Sequence, residues 1–399
     1  MATLALDHAR SDFDPFDWKT RVDPYPAYAA LRAAGPAVRL DKYGIWAVPR
    51  YAETKTIFAD HVNFSNAGGA GIANYFKSKP WRPPSIILEA DPPLHTRTRK
   101  VLARIMSPGA MRRLEDDFKA KAIALVEGLV AKGSFDAIRD IAEVFPLSVF
   151  PDALGIDSEG RENFLTYGAM VFAGMGPEND YFRNLMAHAP TVLPWVTAKC
   201  QREALAPGSF GAQVYEAADT GEITQEEAPL LVRSFLSAGL DTTISAIGMA
   251  LFSLARHPDQ WAILAANPSL SRAAFDETLR FDSAAPYVFR TTPHETEIGG
   301  VRIAEHEKVI LLLASANRDE SRWERPDQFD ITRRVAGHIG FGTGIHGCVG
   351  QMVARLEGEA VLSALANSVA SIEITGEAVY RDSTGLRALS SLPVRVVRK

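Results

Sequence analysis

Phe341-Gly-Thr-Gly-Ile-His-Gly-Cys348-Val-Gly350 is the stretch whose reading decides the fold. Four glycines and one cysteine in ten residues make a tight loop that can approach a ligand closely. The residues behind it, Gln351 to Leu365, have helical periodicity, so Cys348 stands at the start of a helix. A helix N-terminus stabilises negative charge, which suits a thiolate acting as an anionic metal ligand. No second cysteine or histidine lies at zinc-like spacing, which argues against a structural zinc site.

Working outward, the chain has 399 residues, 47% hydrophobic and 23% charged, the composition of an ordinary globular protein able to bury a large core. A net charge of −5 gives no reason to expect nucleic acid as a partner. Cys200 and Cys348 are the only cysteines, so there is no disulfide framework and a reducing compartment is expected. Cys200 reads as an inert thiol in or near a helix. The N-terminal residues Met1 to Asp12 are too poor in apolar side chains and too acidic for a signal peptide. No run of about 18 apolar residues occurs, so no membrane anchor is expected. A soluble, cytoplasmic protein is the expectation.

Asp23-Pro-Tyr-Pro26 opens an amphipathic helix ending near Gly35, and Val38 to Val48 reads as one or two strands turning at Gly44. Asn63 to Pro84 is a loop of about twenty residues, long enough to be functional. Helices are predicted from Pro93 to Met106, after Pro108-Gly109 as far as Lys132, and over 159–174 and 181–204. Thr224-Gln-Glu-Glu227 is a capping box heading one long helix to about Arg256. Shorter helices follow at Pro258–Ala266 and Ser271–Phe281, then strand character from Thr291 to Leu313 and hairpins from Ile372 to Val397. The spacing predicts one domain over 1–399, mainly α with small β-sheets.

A lone thiolate fits haem, which needs one strong axial ligand from the protein. The pattern F-G-x-G-x-H-x-C-x-G resembles the haem-binding signature of the cytochrome P450 family, with every fixed position filled. The resemblance implies the P450 fold, with haem b on Cys348 and Phe341, Gly342 and Gly350 shaping the loop around it. Ser234, Ser237, Ala238, Asp241, Thr242 and Ser245 share one face of the long helix. Ala238-Gly-Leu-Asp-Thr-Thr243 within it resembles the family's oxygen-activation motif. There the helix crosses above the haem and kinks at the threonine. Small Ala238 leaves room, Thr242 hydrogen-bonds the oxygen being activated, and Asp241 relays protons. Asp91-Pro-Pro-Leu-His95-Thr-Arg-Thr-Arg99 resembles the propionate-binding helix, and Arg290 and His346 match two further propionate contacts. Glu277 and Arg280 match the family's E-x-x-R; Gln328 stands where a supporting arginine is expected, and Arg333 is the candidate substitute.

A narrower resemblance covers nearly the whole chain. Residues 79–93, 143–152 and 226–234 look like the bacterial subfamily that oxidises para-substituted benzoates such as 4-methoxybenzoate. It implies that Arg82, Ser85, Arg233, Ser234 and Ser237 hold a carboxylate. Leu88, Val171, Phe172, Ala238, Ala285 and Val288 then line an aromatic slot. Met175 and Val288 stand where bulkier aromatics are expected, which widens that slot. Electrons are expected from a ferredoxin, its reductase and NAD(P)H, with O2 as co-substrate. Arg97, Lys100 and Arg104 form a basic face for docking that partner or a merely solvated one. The other readings are a P450 acting on a different small hydrophobic substrate, a peroxide-using peroxygenase, and a haem-thiolate sensor without turnover. The Asp241-Thr242 pair argues against the peroxygenase.

Overall fold

The computed structural model describes residues 8–399; the reading of the extreme N-terminus as lacking a signal peptide falls largely on residues outside them. The largest apolar cluster is helical. At its centre helix Gln351–Ser368, which starts directly after Gly350, packs against helix Pro108–Lys132 and helix Ser271–Phe281. Gly358 permits the second contact, because a Cβ there would lie 2.4 Å from the Phe275 ring. Helix Pro108–Lys132 is a single 25-residue element where shorter helices were predicted. Pro108 begins it, capped by the Ser107 side chain, and Gly133 ends it in the left-handed conformation.

A five-stranded sheet stands beside the helices, in the order Arg10–Ser11, Val38–Leu40, Ile45–Val48, Lys308–Leu311, Val288–Thr291. The side-chain period of two feeds two apolar clusters from the same strands. Trp46, Val48, Val309 and Leu311 enter one, and Ile45, Ala47, Ile310 and Phe289 the other. Gly44 turns with φ +58° between the first antiparallel pair, as predicted. The C-terminal strands Val369–Ile374 and Pro393–Arg398 pair antiparallel, with a small hairpin of Val379–Tyr380 and Leu389–Ser391 between them.

Several predicted helices have different bounds. The one expected over 159–174 spans Asn163–Ala173, because the chain turns first at Gly160 with φ +71°. The one expected over 181–204 divides into Asp180–Met186, Ala189–Lys199 and a short 3-10 turn at Arg202–Ala204, with Pro190 opening the second piece. The long helix is also divided, into Glu227–Ala238 and Asp241–Arg256, although its capping box forms: Thr224 N donates to Glu227 Oε2 at 2.8 Å and Glu227 N to Thr224 Oγ1 at 3.3 Å. By length and composition the span Glu227–Arg256 is apolar enough to cross a membrane, yet 78% of its most apolar window is buried inside this protein. Cys200 caps helix Ala189–Lys199, and burial pushes its thiol up to about 12.

Candidate active site

The cysteine loop folds back on itself around Cys348. Cys348 N donates to Phe341 O at 2.8 Å, Gly342 N to Ile339 O at 2.9 Å and Gly347 N to Gly344 O at 3.1 Å. Gly344, with φ +69°, is compelled to be glycine: a Cβ there would lie 2.2 Å from Phe58 O. Arg355 lies over the Phe341 ring at 4.5 Å and ion-pairs Asp276 at 2.7 Å, tying the loop to helix Ser271–Phe281. Burial pushes the half-buried Cys348 thiol up; the amides of Gly350 and Gln351 and the charges of Arg99 and Arg355 oppose it. Such a donor environment suits a sulfur that becomes a thiolate on binding a metal.

Cations collect on one side of this loop. Arg99 Nη1 donates to Gly347 O at 2.5 Å. The His95 and His346 rings lie 4.1 Å apart between centroids. Both Nε2 atoms are buried without a hydrogen-bond partner. Buried Arg290 stacks over Phe58 at 5.0 Å. Burial, then Arg290, His95 and Arg99, drive His346 down to about 2, so its ring stays neutral. Two orphaned imidazole nitrogens beside two guanidiniums are what the carboxylates of a bound cofactor would satisfy.

The two halves of the divided long helix, Glu227–Ala238 and Asp241–Arg256, together the distal span, meet at Gly239-Leu240. Gly239 lies so close to Phe150 that a Cβ would come within 2.3 Å of its ring. At the break the side chains of Thr242 and Thr243 donate to the carbonyls of Ala238 and Gly239, at 2.7 and 3.1 Å. The break divides the hydroxyl face that unbroken periodicity predicted. Ala238 is exposed and Thr242 half-open, whereas Asp241 and Ser245 are buried. Asp241 packs against Gly168 and ion-pairs Arg381 at 2.7 Å. Arg381, from the C-terminal hairpin region, is 24% exposed and lines a cleft of about 240 Å³ with Trp18, Arg21 and Asp382. It is the connection between Asp241 and the surface, and sequence reasoning missed it.

Glu277 and Arg280 form a bidentate pair at 2.7 and 2.8 Å with neither side chain exposed. Arg333 Nε reaches Glu277 at 3.4 Å, and its Nη atoms donate to the carbonyls of Glu324, Arg325 and Gln328. Arg333 therefore occupies the third place in this buried network, and Gln328 contributes only its main chain there.

The family model described as Cytochrome P450 matches residues 198–367. The chain is 53% identical over 384 residues to "Cytochrome p450 CYP199A2" of Rhodopseudomonas palustris, covering 96% of this chain and 93% of that protein. The chain belongs to the cytochrome P450 family. It is a P450 monooxygenase, and the family's cofactor is haem bound through a cysteine thiolate. A vitamin D(3) 25-hydroxylase of Pseudonocardia autotrophica is 33% identical, with 93% of each chain covered. Among solved structures, a P450 named CREJ in complex with (4-ethylphenyl) dihydrogen phosphate superposes with TM-score 0.88 at 30% identity, covering 96% of this chain and 99% of that one. Another from Chondromyces apiculatus gives 0.83 at 32%, covering 98% and 99%.

In this P450 the long loop carries Arg82 and Ser85 to the distal span. Ser85 Oγ and Ser234 Oγ lie 3.2 Å apart. Arg82 Nη1 and Arg233 Nη2 both donate to Pro83 O, at 3.0 and 2.9 Å. Arg82 is also ion-paired with buried Glu89 at 3.1 Å, a partner that sequence reasoning did not supply. Ser237 donates to Ser234 O at 3.1 Å. Of the predicted slot residues, Leu88 and Ala238 are exposed, Phe172, Ala285 and Val288 are half-open, and Val171 is buried in the main helical core. Two of the three cations of the basic face are occupied: Arg97 pairs with Glu227 at 2.6 Å and Arg104 with Glu222 at 2.5 Å. Lys100 is exposed.

Proposed function

We propose that this P450 inserts one oxygen atom into a small aromatic carboxylic acid, hydroxylating or O-demethylating para-substituted benzoates such as 4-methoxybenzoate. The observation that carries the reading is the convergence of Arg82 and Arg233 on one carbonyl, with the Ser85 and Ser234 hydroxyls 3.2 Å apart on the same two segments. A benzoate entering an apolar pocket loses its hydration, and charge-assisted hydrogen bonds offset that loss. The aryl phosphate held by the CREJ structure is likewise a para-alkylated ring bearing an anion, which supports the class.

Haem b fits the residues present. Cys348 would ligate its iron, and His95, Arg99, Arg290 and His346 would take its carboxylates. Phe341, Gly342 and Gly350 would let the loop approach the ring. When bound, haem supplies the redox chemistry of the net reaction, RH + O2 + 2e− + 2H+ giving ROH + H2O. The chain itself holds the acid at Arg82, Ser85, Arg233, Ser234 and Ser237, and aims the para group through the slot. Ala238 leaves space at the helix break. The Thr242 hydroxyl turns from Ala238 O to donate a proton into that space, and Asp241 replaces it. Two electrons come from a ferredoxin and its reductase, with NAD(P)H as donor.

Titrating 4-methoxybenzoate against 4-methoxybenzyl alcohol, followed by the haem spin shift, tests the anchor. The acid is expected to bind at least ~10-fold more tightly, as one charge-assisted contact of ~1.5–3 kcal/mol requires. Equal responses would overturn it.

A further inference from the structure

Glu89 lies buried among the cations of the proposed anchor, and the function proposed above leaves it without a task. Its side chain is 3% exposed. Its Oε2 lies 3.1 Å from Arg82 Nη1 and accepts the Ser85 amide at 2.7 Å. Its Oε1 accepts the Tyr75 hydroxyl at 3.0 Å. One carboxylate thus touches both loop residues of the anchor. Arg82 and Arg233 meet on Pro83 O, and burial lowers Arg233 while the charge of Arg82 lowers it further. Arg82 Nε is buried without a partner, so Glu89 leaves this guanidinium a donor to spare. The next cation to feel Glu89 is Lys308. Its amine is engaged by Gly69 O at 2.7 Å and Thr291 Oγ1 at 3.0 Å, and burial pushes it down to about 7.

Arg82, Arg233 and Glu89 together carry a single positive charge, while the Lys308 amine is engaged by Gly69 O and Thr291 Oγ1. A singly charged acid brings that site to neutrality. A doubly charged one leaves an uncompensated negative charge beside the buried Glu89 carboxylate, which is costly. We infer that Glu89 sets the charge of the anion the pocket accepts, selecting monoanionic aryl acids over dianionic aryl phosphates. The inference rests on reading the pocket as an aryl-acid site. Glu89 is a positioning residue, acting through Arg82 and Ser85.

The test uses the haem-loaded protein and spin-shift titrations with 4-methoxybenzoate and 4-methoxyphenyl phosphate, above the second phosphate ionisation near pH ~6. In Glu89→Gln the ratio of phosphate Kd to benzoate Kd is expected to fall by at least ~10-fold relative to wild type. Tyr75→Phe, which removes a hydrogen bond but keeps the charge, is expected to leave the ratio where it was. An unchanged ratio in Glu89→Gln, or an equal fall in Tyr75→Phe, overturns the inference. Should Glu89→Gln not fold, wild type decides: its phosphate Kd, normalised to benzoate, is expected to tighten as pH drops through the phosphate ionisation, and a flat ratio overturns the inference. Wild type that binds 4-methoxybenzyl alcohol as well as the acid would instead defeat the aryl-acid reading itself.

Discussion

Thr242 sits where the distal span parts, half-buried, with its hydroxyl held 2.7 Å from Ala238 O. In the proposed relay, replacing it with alanine removes the last proton donor and is expected to leave the substrate and electron routes intact. Thr242→Ala is therefore expected to keep oxidising NAD(P)H while releasing peroxide, its coupling to product falling several-fold. Coupling equal to wild type would refute the relay. Asp241 is set deeper, and Arg381 is its route to the surface cleft. Asp241→Asn is expected to slow product formation by about 10²-fold, the lower end for a positioned acid or base, while the spin-shift Kd stays put. The sequence pointed to these two candidates because they neighbour each other in a recognisable hexapeptide. It did not disclose Arg381 or Glu89. Arg381 meets Asp241 only through tertiary packing, Glu89 meets its partners through the fold of one irregular loop, and a lone arginine or glutamate in a loop has no periodicity to mark it.

At the scale of elements, the missed features have a common physical cause. Helix Val144–Leu154 is apolar on nearly every face and carries Pro151 inside it, so neither amphipathic period nor proline rules reveal it. Phe150, from that same helix, lies against the distal span where it divides at Gly239. Helix Gln351–Ser368, by contrast, follows directly from the glycine-rich loop before it. It carries a second buried liability, Glu357, whose two carboxylate oxygens are buried without partners and whose pKa burial raises well above the usual carboxylate range. A folded-state pKa above the unfolded one means the native state binds more protons, so stability is full below the unfolded value of ~4.3. It then falls by up to ~1.4 kcal/mol per pH unit as pH rises toward the folded value. Glu357→Gln is expected to flatten that decline, with a Tm gain over wild type that is larger at alkaline than at acid pH. A gain independent of pH would show that Glu357 is not the group responsible. In the neighbouring network, Arg333→Ala leaves Glu277 with one cation in a site closed to water. A loss of roughly 1–3 kcal/mol is expected in denaturant unfolding, and no loss would mean that Arg333 is dispensable there.

Across the whole molecule, basic side chains gather in two places: Arg99 and Arg290 with the imidazoles of His95 and His346 beside the cysteine loop, and Arg82 and Arg233 at the long loop. The outer basic face is largely spent on Glu227 and Glu222. Charge reversal at Lys100 is therefore the informative change, expected to slow ferredoxin-supported turnover while sparing peroxide-driven turnover. Equal losses in both assays would remove the docking role. The fold class could be read from short local motifs, which also supplied the candidates for the haem side of the site, since glycine, cysteine and capping signals act within a few residues. The proposed acid pocket draws on segments far apart in the chain. Its most direct test is turnover of 4-methylbenzoate under ¹⁸O2 with ferredoxin, reductase and NADH. The account predicts 4-(hydroxymethyl)benzoate carrying one ¹⁸O atom. Turnover of the uncharged analogue 4-methylanisole with the benzoate left untouched would contradict it.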